Sequence, residues 1–191
     1  MRGAPAGFAS ARPVWRNRPK IGTILALTPA SISDWSTLLD AQAGAAATLM
    51  GLVFVAVSIN LNRIMTYPGL SGRAAESVLQ FLEVFIVCTL ALIPKQAESS
   101  LAVEILITGT VLWACQAALQ IHYLRLRTGH PWSWFMYRAV LAQCAAVPFI
   151  VAGVQLLLGL PTALYWLAPG FVFSFVAGVL SAWVLLVEVV R

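Results

Sequence analysis

A chain of 191 residues that is 60% hydrophobic and 10% charged, with a mean hydropathy of +0.86, is not a protein whose surface faces water. Soluble domains carry roughly 25% charged residues, and 12 basic plus 7 acidic side chains are too few to wet a fold of this size. The net charge of +5 does not point to nucleic acid, because the basic residues gather in the N-terminal tail or flank apolar runs, as topology determinants do.

The tail comes first. Residues 1–33 carry Arg2, Arg12, Arg16, Arg18 and Lys20, then a short apolar stretch, Ile21 to Leu27, ended by Pro29. A signal peptide is one reading, although Ser31-Ile32-Ser33 is a poor small-x-small cleavage site. A disordered or spurious extension is another, and a cytoplasmic tail that overrules the positive-inside rule is the third. From Ser33 to Asp40 the residues suit a helix start in the membrane interface, with Ser33 as cap, Asp34 in the first turn and Trp35 at headgroup level.

Residues 34–191 are expected to form one all-α, polytopic membrane bundle. A helix needs about 20 apolar residues to cross a hydrocarbon core about 30 Å thick. Five runs meet that test: 41–61, 74–93, 101–124, 139–160 and 163–187. Continuous apolar runs argue against a membrane β-barrel, whose strands alternate. The breaks carry turn chemistry in Tyr67-Pro68-Gly69, Pro94-Lys95-Gln96, Thr128-Gly129-His130-Pro131 and Gly159-Leu160-Pro161. Pro148 and Pro169 are expected to kink their spans.

Loop charge sets the expected orientation. Arg63 and Arg73 lie in the first loop, Arg125 and Arg127 in the third with Arg138 close behind, and Arg191 at the end; the second loop offers Lys95 and the fourth none. The positive-inside rule then places the N-terminus outside and the C-terminus in the cytoplasm, which the basic tail opposes.

Polar residues inside the spans are the most informative, because each is costly unless it faces protein or water. Glu76, Gln80 and Glu83 share one helix face at i, i+4 and i+7; Gln116, Gln120 and Tyr123 repeat that spacing. Gly44, Thr48, Gly51, Ser58 and Asn62 form a stripe in the first span, with Asn60 and Arg63 near its end. The fourth span contributes Arg138 and Gln143. At 1.5 Å per residue Glu83, Gln116 and Gln143 each lie about 15 Å deep, near the midplane. A convergent cluster is expected, with Arg138 or Arg63 compensating Glu76 or Glu83. Hydrogen bonding between helices, worth on average about 0.6 kcal/mol per contact, is the plainer role for the same residues.

The pairs Gly44-x3-Thr48 and Ala47-x3-Gly51 and the run Gly170-x3-Ser174-x3-Gly178 are small-xxx-small patterns that let helices approach closely, the last suited to self-association. Cys88, Cys115 and Cys144 fall singly in separate runs, with no metal-binding spacing, and read as buried thiols. His122 and His130 read as interfacial histidines. G-x-S-x-G, H-E-x-x-H, P-loop and dinucleotide motifs are absent from the sequence, so no catalytic residue, cofactor or metal is expected.

Residues 44–64, GAAATLMGLVFVAVSINLNRI, followed by Tyr67-Pro68-Gly69-Leu70 and Arg73-Ala74-Ala75-Glu76, resemble a family of small bacterial multi-span membrane proteins, some labelled as modulators of the membrane-anchored protease FtsH. The resemblance covers about a third of the chain and implies a binding or regulatory partner, with no catalytic residues to carry over. The expected function is accordingly an accessory or regulatory inner-membrane protein, as a homo-oligomer or in a larger complex. A small channel or transporter using the polar cluster is the alternative.

Overall fold

The structure, a computed structural model, describes residues 32–66, 70–125 and 132–190. The tail 1–31, the turn at Tyr67-Pro68-Gly69, the loop with Arg127 and His130, and Arg191 lie outside the described residues, as do the side chains of Ser33, Arg63, Tyr123, Trp132 and Trp134. Among the described residues every element is helical: α1 Ile32–Ile59, α2 Leu61–Thr66, α3 Leu70–Ala91, α4 Glu98–Arg125, α5 Trp132–Leu157, a 3₁₀ turn Ala163–Trp166, and α6 Leu167–Val190. Five stretches are long and apolar enough to cross a membrane: Asp34–Ile59, Ser71–Ala91, Glu98–His122, Met136–Leu157 and Ala163–Val184. The chain is therefore read as a multi-pass membrane protein.

Helix ends depart from the expected bounds for local reasons. α1 is one continuous helix from Ile32, so the interfacial start and the first span are a single element. It stops at Asn60, whose side-chain amide donates to the Ala56 carbonyl at 2.9 Å in competition with the backbone ladder. Past α3, the turn 92–97 places Lys95 in the left-handed region at φ 60°. α5 ends in a Schellman motif: Gly159, at φ 67°, donates to Leu156 O, and Leu160 donates to Gln155 O. Pro148 lies inside α5, while Pro169 falls in the first turn of α6, where a missing N–H costs little.

Helices α3, α4, α5 and α6 pack in a ring, each against the next and α6 back against α3. α1 stands outside that ring and packs on α3. Burial makes the same distinction: 56% of the α3 span is buried against 11% of the α1 span. α1 meets α3 through Leu39, Ala46 and Val53, spaced seven apart, the seam of a left-handed pair.

Glycines set the close approaches. A Cβ at Gly153 of α5 would stand 2.9 Å from Leu106 N of α4, so backbone meets backbone there. Gly170 and Gly178 on α6 receive the rings of Phe149 and Phe81, which a Cβ would meet at 2.9 and 2.5 Å. The Gly170-Ser174-Gly178 stripe is thus filled from within the chain.

The interior is divided along its length. Toward the Lys95 end it is apolar, built on Leu39, Val84, Val87, Leu101, Phe149 and Phe171, with the two phenylalanine rings 5.6 Å apart. Trp35 and Tyr165 meet edge to face at 5.2 Å at that end and tie α1 to the 3₁₀ turn. The buried polar residues of α3 and α4 occupy the other half, with Ser174 of α6 near the boundary.

Candidate intramembrane polar site

Positions 76, 80 and 83 of α3 turn inward because the helical repeat stacks them on one face, and α3 is covered on nearly every side. Glu76 is 5%, Gln80 3% and Glu83 0% exposed. Ser77, on the neighbouring face, is also buried and returns its hydroxyl to the Arg73 carbonyl.

Near the Arg-bearing end, Arg138 of α5 reaches across the ring and donates to Glu76 Oε2 at 2.6 Å. The arginine keeps 23% of its side chain exposed and the carboxylate only 7%. Farther in, Gln116 of α4 donates from Nε2 to Glu83 Oε2 at 3.4 Å, a long bond. Gln120, one turn from Gln116, is buried on the same face.

The remaining sequence candidates go elsewhere. Gln143 sits partly exposed on α5 and accepts from Trp113 Nε1 at 2.7 Å, away from Glu83. Asn60 is spent on its own helix. Arg63 lies in α2, with its side chain outside the described residues. In the first-span stripe, Thr48 and Ser58 bond back to the carbonyls of Gly44 and Phe54 at 2.8 Å, and both face away from the bundle.

Several oxygens within the cluster are buried without a partner: Glu76 Oε1, Gln80 Oε1, Glu83 Oε1 and Ser174 Oγ. Ser174 is 0% exposed. Sequence patterning marks it as one of three small residues on α6 but gives no hint that its hydroxyl is unmatched. Because Phe81 lies against Gly178, Ser174 stands one turn farther toward the Lys95 end, level with residues just past Glu83. The site thus holds four oxygens that meet no partner. A carboxylate at this depth is costly unless something positive or proton-donating reaches it.

Among the described residues, no group of three or more His, Cys, Asp or Glu could hold a metal ion. Cys88 is buried, Cys144 half-buried and Cys115 exposed, all as free thiols. Comparison of the chain with family models, with curated proteins and with solved structures finds no match.

Proposed function

We propose that this chain is an accessory or regulatory protein of the bacterial inner membrane, N-terminus outside and C-terminus in the cytoplasm, that works by docking on a larger membrane protein. The observation that carries the reading is the free face of α1. Along Leu39, Ala46 and Val53 the helix is committed to α3, and it turns Gly44, Thr48 and Gly51 outward, where a Cβ at either glycine would meet nothing within 4 Å. Small residues at such a face let another helix approach backbone to backbone. The occupant we assign is a transmembrane helix of a partner protein. Residues 44–76, which resemble the family labelled as modulators of the FtsH protease, include this face, and a membrane-anchored protease is the first partner to test.

Gentle solubilisation and affinity purification test the reading. The tagged chain is expected to migrate with a larger complex, and Gly44→Leu with Gly51→Leu is expected to release it. A lone species in both cases sinks the proposal, and a complex made only of copies of this chain replaces it with self-association.

A second reading, a small channel or transporter, is favoured by the interior placement of Glu83 with an unmatched oxygen. The apolar core at the Lys95 end closes the path beyond it, so transport requires that end to open. Flux into liposomes that Glu83→Gln abolishes supports this reading, and no flux leaves the accessory role.

A further inference from the structure

Among the described residues, Glu83 meets no counter-charge. Arg138 is committed to Glu76. Arg73, on the same helix, is ten residues from Glu83, about 15 Å at 1.5 Å per residue, beyond ion-pair reach. The helices packed on α3 bring no described cation to its level. α4 presents Gln116 there, with Glu104 and His122 well to either side along the helix; α6 presents Ser174; α1 carries its acids, Asp34 and Asp40, near the far end. Cys88, the next titratable group along α3, is a buried thiol and supplies no positive charge.

The neighbourhood also leaves oxygens without a partner. Gln116 gives Glu83 one long bond, and Glu83 Oε1, Gln80 Oε1 and Ser174 Oγ are left unmatched inside the bundle. A carboxylate only accepts hydrogen bonds, so adding another acceptor makes matters worse, whereas one positive charge neutralises Glu83 and engages the spare oxygens together. A divalent ion would leave an uncompensated positive charge among apolar side chains.

We propose that Glu83, with Gln80, Gln116 and Ser174, binds a single monovalent cation inside the bundle. Glu83 supplies the charge; Gln80 and Ser174 supply neutral oxygens; Gln116 orients the carboxylate. Sodium and the proton share the chemistry the site asks for, one positive charge met by oxygen lone pairs. The inference rests on the transport reading only for what such a site would serve, since occupancy is measured without flux.

The test uses the full chain in lipid nanodiscs. In one arm, retention of radioactive sodium is measured in excess choline chloride. In the other, an apolar carbodiimide, which adds to protonated carboxyls, is applied over a range of pH and its position read by mass spectrometry. Sodium retained by the native chain, lost in Glu83→Gln and about tenfold weaker in Ser174→Ala or Gln80→Leu, identifies sodium as the occupant. Carbodiimide addition at Glu83 that sodium does not suppress identifies the proton. The absence of both sodium retention and carbodiimide addition at Glu83 overturns the proposal. Should Glu83→Gln fail to fold, the Ser174→Ala and Gln80→Leu arms decide alone: sodium retention or Glu83 labelling equal to the native chain in both overturns it. Occupancy without liposome flux removes the transport reading and leaves the site standing.

Discussion

Replacing Gly153 by alanine tests the packing of α4 against α5 at its tightest point. The new Cβ would lie 2.9 Å from Leu106 N and 3.0 Å from both Leu106 Cα and Cβ. Carbon contacts are most favourable at about 3.5 to 4.0 Å, so roughly 0.5 to 1 Å must be found. Two of the three opposing atoms are helix backbone and cannot rotate aside, so the helices themselves must separate. Overpacking of this kind costs about 1 to 3 kcal/mol, against which alanine recovers roughly 0.5 to 1 kcal/mol through its smaller loss of backbone freedom. A net destabilisation of about 1 to 2 kcal/mol is expected. Internal controls are at hand. Gly109→Ala meets Ile150 and Phe149 at 3.4 to 3.5 Å, ordinary contact, and is expected within about 0.5 kcal/mol of the parent. Gly44→Ala and Gly51→Ala meet nothing and are expected to stabilise the isolated chain by about 0.5 kcal/mol. Reversible unfolding in mixed micelles, followed by the fluorescence of the seven tryptophans, ranks the series. If Gly153→Ala proves as stable as Gly51→Ala, the close approach of α4 and α5 is wrong.

Three further outcomes follow from geometry elsewhere. Arg138→Gln, which strands a 7% exposed carboxylate, is expected to cost about 3 to 5 kcal/mol; Glu76→Gln leaves an arginine that can extend toward the interface and should cost less, with the double substitution recovering most of the loss in a double-mutant cycle. Additive losses would show that the two side chains do not meet. At the turns, Lys95→Gly is expected to stabilise and Gly159→Ala to destabilise the fold, each by about 1 kcal/mol in the same unfolding assay, because both positions are left-handed. A lipid-soluble aryl diazirine, whose carbene inserts without ionisation of the thiol, is expected to label exposed Cys115 in micelles and to spare buried Cys88, read by mass spectrometry; equal labelling of the two in the folded chain contradicts the rotation assigned to α3 or α4.

The five spans were legible because a bilayer imposes a length that no soluble core demands, and the Gly159 turn because few residues accept a left-handed backbone. Helix ends were less legible. The α1 boundary turns on whether Asn60 bonds to solvent or to its own helix, a competition of about 1 kcal/mol that composition does not decide. The start of α5 at Trp132 also falls ahead of the apolar run, since a helix may begin within its interfacial aromatics and the hydropathy of the span begins later.

The site shows the same limit more sharply. Spacing alone put Glu76, Gln80 and Glu83 on one face and Gln116 and Gln143 at similar depth, yet it left open whether Arg138 or Arg63 compensates Glu76 or Glu83, and which amide reaches Glu83. The structure gives Glu83 to Gln116 and Gln143 to Trp113. In water an amphipathic helix declares its inward face by its apolar stripe; in lipid both faces are apolar, and only scattered polar and small residues remain to set rotation. Gly153 makes the point from the other side. It has phenylalanine and leucine four residues before and after it, so no pattern on α5 marks it, and its importance comes wholly from Leu106 on another helix. The face of a membrane helix is therefore written partly in its neighbours, and a polar cluster read from one chain segment becomes a site only when the rotation of the facing helix is known.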